Sequence, residues 1–279
     1  ESGAISLQTL KEDGTYDYHD NTVTFINEYH SPSVNVEFTK VDADHTNIGL
    51  EGAKFALYTD SSATTAYPTT DDQVIATSDE NGKVTFTGLP YDTVNGFTYY
   101  MKEIQAPSGY VLDNSTIYKI RITVNDKKVT TSILKAADDS VISDKKIKNT
   151  ATELTFFKKS KAADGTDISL KDAVFEIKRL EGREYKLVTD ITGVGSDGRF
   201  TIPTEGIKLT HLPDGTYELT EITAPGGYNL LTKKISFTIT NGQLGGENEN
   251  GVVTFDPKKK IVTIFNTAGI QLPETGGMG

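Results

Sequence analysis

Cysteine and tryptophan are both missing from this 279-residue chain, and methionine occurs only twice. Without cysteine there is no disulfide and no thiolate metal site, so whatever stabilises the fold is not a sulfur crosslink. Four scattered histidines with no HExxH-type pair offer no zinc-ligand pattern. No run of about 18 apolar residues occurs, and the N-terminus lacks the charged-then-apolar order of a secretory leader. Basic charge is short as well. Lys and Arg number 28 against 39 Asp and Glu, and the resulting −11 repels nucleic acid and anionic membranes. No Ser/His/Asp set, phosphate loop or metal cluster is legible, so the expectation is no cofactor, no metal and no turnover enzyme.

What is present is a repeat. Tyr99 to Tyr110 read YYMKEIQAPSGY, and Tyr217 to Tyr228 read YELTEITAPGGY. Period-2 alternation puts Tyr99, Met101 and Glu103 on one strand face and Tyr217, Leu219 and Glu221 on the matching one. Glu103 and Glu221 are 118 apart, as are Lys40 and Lys158, while Asn149 and Asn266 are 117 apart. The lysines share a face with Val34, Val36 and Phe38, and with Leu154 and Phe156; the asparagines share one with Ile147, and with Val262 and Ile264. Each repeat therefore turns a lysine, a glutamate and an asparagine towards its core. Between them run short alternating strands, with turns at Asn81-Gly82 and Asp197-Gly198 and a hairpin through Asn125-Asp126. Leu89-Pro90 and Leu212-Pro213 read as matched approaches to the acidic strand. No helix of three turns is predicted. The fold class is all-β, two tandem immunoglobulin-like β-sandwiches.

Four segments follow: 1–31, a C-terminal remnant of a preceding domain; 32–150 and 151–268, the two repeats; and 269–279, a linker and tail. The first reading rests on Val23, Phe25 and Asn27, which repeat the spacing of Val262, Ile264 and Asn266. Asn27 would then be a terminal asparagine without its lysine; the alternative is an ordinary strand.

Burial disfavours both ammonium and carboxylate. A neutral amine is a nucleophile, a carboxamide an electrophile, and a protonated glutamate can move the protons between them. Glu103 and Glu221 would each act once as proton shuttle, leaving a Lys–Asn isopeptide bond and ammonia. The alternative is that Lys40 and Lys158 extend to solvent and the asparagines simply end strands. Lys159 is a rival amine but lies out of phase with Leu154 and Phe156.

The Y-x-L-x-E-x-x-A-P-x-G-Y strand, the early lysine and the terminal asparagine resemble the CnaB-type domains of Gram-positive pilins and wall-anchored adhesins. The second repeat fits closely; the first has Met101 for Leu and Ile104-Gln105 after its glutamate. The resemblance spans residues 34 to 268. It implies an inverse immunoglobulin-like sandwich with first and last strands adjacent, and bonds Lys40–Asn149 and Lys158–Asn266. Leu272, Pro273, Glu274, Thr275 and Gly276 resemble the LPXTG signal, cleaved by a sortase after Thr275. Together the two resemblances imply a structural pilus subunit, with the stalk of a non-pilus wall-anchored adhesin as the alternative. Implied partners are sortase, and neighbouring pilin subunits or peptidoglycan joined through Thr275. The implied location is extracellular, on the wall or pilus of a Gram-positive bacterium. The YPKN-like lysine motif of shaft subunits has no match: the nearest strings are Tyr67-Pro68-Thr69 and Asp256-Pro257-Lys258. Tyr58 to Asp72 and Gly242 to Gly251 are candidate ligand loops, though the sequence names no host or matrix ligand.

Overall fold

Alternating apolar and polar residues bury one side of an extended segment, and strands of this kind account for the whole molecule. The computed structural model describes residues 7–19, 31–69 and 72–269, and every regular element among them is a β-strand. A hairpin of Leu7–Leu10 and Tyr16–His19 comes first. The strand read through Val23, Phe25 and Asn27 lies outside the described residues, as do Leu272, Pro273, Glu274, Thr275 and Gly276.

Two sandwiches follow, each with its own core. In the first, a three-stranded sheet runs Lys146–Asn149, Ser33–Asp42, Lys83–Pro90. It packs on a five-stranded sheet ordered Ile75–Thr77, Lys54–Tyr58, Phe97–Gln105, Ile117–Asn125, Lys128–Lys135. Phe38 meets Phe55 edge-on at 4.9 Å across the gap, above Tyr99 and Met101. In the second, Asp167–Ser169, Glu153–Lys161, Ile261–Phe265 and Val253–Asp256 form one sheet, with Ile207–Thr210 also paired to Glu153–Lys161. Glu184–Leu187, Ala173–Glu181, Gly215–Thr223, Ile235–Thr240 and Gln243–Gly245 form the other, with Arg199–Ile202 added to Ala173–Glu181. Tyr217 stacks on Phe237 at 5.0 Å in its core. Each fully buried aromatic or aliphatic side chain stabilises by about 1.5–3 kcal/mol.

Each sandwich sets its first and last strands side by side and parallel. Lys40 lies opposite Ile147, and Lys158 opposite Ile264. Parallel neighbours need a long connection, and here the connection is the rest of the sandwich. Asn149 and Asn266 each come two residues after the partner of the lysine, so both repeats share one register. The Asn81-Gly82 turn holds the lysine strand from the other side. Gly82 has φ +76°, its carbonyl accepts the Lys40 N–H at 2.6 Å, and a Cβ there would sit 2.2 Å from the Lys40 carbonyl oxygen. Only glycine fits that turn.

Two details differ from the sequence reading. Strand register pairs Val34 with Leu89 and Leu154 with Leu209, so Leu89 corresponds to Leu209 rather than to Leu212. A register shift between Val34 and Val36, opposite the left-handed Gly88, hides this match. The stretch from Gly242 to Gly251 is also not all loop, because Gln243–Gly245 pairs with Ile235–Thr240.

Candidate functional site

The inner faces of three strands converge at one point in each sandwich. In the first, Lys40 on Ser33–Asp42 is fully buried, Glu103 on Phe97–Gln105 is 1% exposed, and Asn149 ends the last strand. Lys40 Nζ lies 3.3 Å from Glu103 Oε1 and donates to Asn149 Oδ1. Asn149 Nδ2 donates to both carboxylate oxygens of Glu103, at 3.0 and 3.1 Å.

The second sandwich repeats the arrangement with one difference. Asn266 Nδ2 donates to Glu221 Oε1 and Oε2 at 3.2 and 3.1 Å, and also to the Asn229 carbonyl at 2.9 Å. Lys158 Nζ sits 2.9 Å from Glu221 Oε1, an ion pair by distance whose angle falls short of a hydrogen bond. Asn266 Oδ1 has no donor either. Amine and carbonyl oxygen therefore lack hydrogen-bond partners in a dry site.

Burial dominates the electrostatics. It pulls the Lys40 ammonium below the ordinary lysine range, against the opposing charge of Glu103. It brings Lys158 down to about 8, and it raises the Glu103 carboxyl. An aromatic face lies beside each lysine: Phe55 at 5.7 Å from Lys40 Nζ and Phe175 at 5.1 Å from Lys158 Nζ. Lys159 is elsewhere, paired with Asp167 at 3.1 Å on the surface.

The Ala-Pro-x-Gly-Tyr turn explains its own position. Tyr110 N–H returns to the Pro107 carbonyl and Tyr228 N–H to the Pro225 carbonyl, both at 3.1 Å. Gly109 and Gly227 supply the left-handed residue, at φ +82° and +83°. The turn sends the chain back over the glutamate, ten residues on, where a backbone N–H meets its Oε2. Asp113 N–H does so at 3.2 Å and Leu231 N–H at 2.7 Å. These donors, the Asn229 carbonyl and the phenylalanine rings escaped the sequence reading. The equal ten-residue spacing was the available signal for the N–H donors.

Profile comparison matches the SpaA family of prealbumin-like fold domains twice, over residues 34–137 and 155–251. The chain belongs to this family. Both SpaA-type segments contain the lysine strand and the glutamate strand of their sandwich. No curated protein sequence matches the chain. Among solved structures, the Bacillus anthracis TIE protein is 18% identical over 95% of this chain and 40% of its own, with a TM-score of 0.40. This chain thus spans less than half of that protein. A C-terminal fragment of the pilus adhesin SpaC from Lactobacillus rhamnosus GG is 18% identical over 87% of this chain and 100% of its own, at 0.42. GBS52, the minor pilin of Streptococcus agalactiae, is 18% identical over 85% and 97%, at 0.31.

Proposed function

We propose that this chain is a structural segment of a sortase-assembled Gram-positive pilus, in which each sandwich closes itself with a Lys–Asn isopeptide bond. One observation carries the reading: two buried Lys/Glu/Asn sets in the same register, on parallel first and last strands. The neutral Nζ of Lys40 or Lys158 attacks Cγ of Asn149 or Asn266. The Nζ–Cγ bond forms and the Cγ–Nδ2 bond breaks. Protons from the amine pass through Glu103 or Glu221 to Nδ2, which leaves as ammonia, and the glutamate returns to its starting state. The reaction runs once per sandwich. Segments 32–150 and 151–268 are then the two crosslinked domains. Residues 269–279 carry Thr275 to a sortase, and from there to a neighbouring subunit or peptidoglycan outside the cell.

Intact mass tests the chemistry: two bonds require a deficit of two ammonia molecules, and Glu221→Ala should restore one. Full mass in the parent chain would sink the proposal. The stalk of a wall-anchored adhesin is the second reading, favoured by the lack of a YPKN-like lysine string. Incubation with a pilus sortase separates the two, since a pilus subunit yields ladders that vanish on Thr275→Ala and a stalk yields none.

A further inference from the structure

The joint between the sandwiches is built from two complementary poles, and the chain carries a second, uncovered copy of each. At the joint, Thr152 N–H donates to the Gly109 carbonyl at 2.9 Å, and His211 N–H donates to the Thr152 carbonyl at 2.8 Å. The Tyr110 ring packs on the His211 ring at 5.4 Å, and Tyr110 Oη donates to the buried Asp42 at 2.9 Å. Gly109 fits so closely that a Cβ would lie 2.7 Å from the His211 carbonyl oxygen. Pro107, Ser108 and Leu112 face Arg179, Pro213 and Asn241 across a cavity of about 540 Å³.

The C-terminal pole of the second sandwich reproduces one half of this joint. Gly269 N–H donates to the Gly227 carbonyl at 2.8 Å as Thr152 does to Gly109, and Tyr228 bridges Ala268 as Tyr110 bridges Ala151. Its surface is bare, however. Gly109 is buried while its counterpart Gly227 is exposed, and Leu112 is half-buried while Leu230 is 48% exposed.

The N-terminal pole of the first sandwich reproduces the other half. Tyr91 stands where His211 stands, and its N–H donates to the Pro32 carbonyl at 3.1 Å as His211 does to Thr152. Around it Tyr67, Pro90, Asp92, Phe97 and Tyr99 line a groove of about 400 Å³. Phe97 is 45% exposed and the nearby Val94 77%.

We propose that these two poles dock on each other between copies of this chain. The Ala224–Tyr228 turn of one copy enters the Tyr91–Phe97 groove of the next, in the geometry of the internal joint. The contact is non-covalent and independent of the isopeptide chemistry. It joins different surfaces head to tail, so it extends rather than closes. Each copy carries −11, so association strengthens as salt screens repulsion over a Debye length that falls to about 10 Å at 0.1 M.

The absence of native cysteine gives a clean test. One preparation carries Asp92→Cys at the groove, and another Gly226→Cys, the counterpart of Ser108. Mixed under mild oxidation, they should form a disulfide-linked pair several-fold faster than Gly226→Cys mixed with Lys186→Cys, a strand-surface control. In sedimentation velocity the parent chain should show a coefficient that rises with concentration and with salt. Phe97→Asp and Leu230→Asp, both at exposed positions, should abolish that rise without changing the melting temperature. Equal crosslinking in the control pair, or a parent coefficient independent of concentration, overturns the proposal.

Discussion

Replacing Asn266 by alanine removes the electrophile of the second sandwich while leaving the Lys158–Glu221 pair in place. The bond it prevents would close a loop of 108 residues. In the chain-entropy treatment used for disulfides, closing a loop of that length stabilises by about 5 kcal/mol. Unfolding entropy near 2.1 cal/mol/K per residue gives a sandwich of this size about 0.24 kcal/mol/K, so the transition should fall by about 20 °C. Scanning calorimetry on the parent and on Asn266→Ala measures it, with intact mass recorded on the same samples. One transition should move and one should stay, and the mass deficit should drop from two ammonia molecules to one. A shift of only a few degrees alongside that mass change would refute the loop-closure reasoning while leaving the bond intact.

In the same Asn266→Ala background Lys158 keeps its amine, which burial holds at about 8 instead of 10.5. Between those values the unfolded chain binds a proton that the folded chain has released, so stability rises with pH through this window, by about 3 kcal/mol in all. Urea midpoints measured from pH 7 to pH 11 should climb; a flat profile would show that Lys158 is not held neutral. Gly82→Ala, at φ +76° with its Cβ 2.2 Å from the Lys40 carbonyl, should destabilise the first sandwich by several times the roughly 1 kcal/mol expected at Gly165, where a Cβ meets nothing within 4 Å. Urea denaturation of the two variants compares them, and equal losses would count against the tight turn. Under force spectroscopy the parent's first sandwich should release none of the 109 residues from Lys40 to Asn149. Asn149→Ala should release roughly 330–390 Å.

How much of this was legible depended on periodicity. Strands with one buried face declare themselves, and Lys40, Glu103 and Asn149 could be placed inward from phase alone because the residues beside them alternate cleanly. The same phase put Lys159 outside, where it pairs with Asp167. Strands with both faces open leave no such trace, and Glu184–Leu187 and Asp167–Ser169 are exposed throughout. The backbone donors to the glutamates were invisible for another reason. A hydrogen bond from Asp113 or Leu231 N–H depends on where a turn returns the chain, and any residue except proline supplies that N–H. The joint was hidden likewise: His211 acts through its backbone and the ring of Tyr110, and nothing in its neighbours marks it.

The position of the crosslinks along their strands has a mechanical consequence. First and last strands are parallel, so tension drawn between the chain ends enters at the start of one and leaves at the end of the other, loading the pair in shear. Lys40 lies near the far end of Ser33–Asp42, and Asn149 is the final residue of its strand. A bond there would carry the load up one strand, across, and out within a few residues of the next sandwich, which begins at Glu153. The other sheet, with its turns and the Tyr58 to Asp72 stretch, would then bear no tension. Asp42, two residues beyond Lys40, holds Tyr110 at the joint, and Ala43 N–H donates to the Asn149 carbonyl at 2.9 Å. The crosslink and the joint thus share one strand end. Loosening the joint by Asp42→Ser, the residue found at position 160 of the second sandwich, should leave the covalent path intact while freeing the angle between the sandwiches. Small-angle scattering would then show a broader distribution of lengths at unchanged intact mass, and an unchanged distribution would mean that the short linker alone sets the angle.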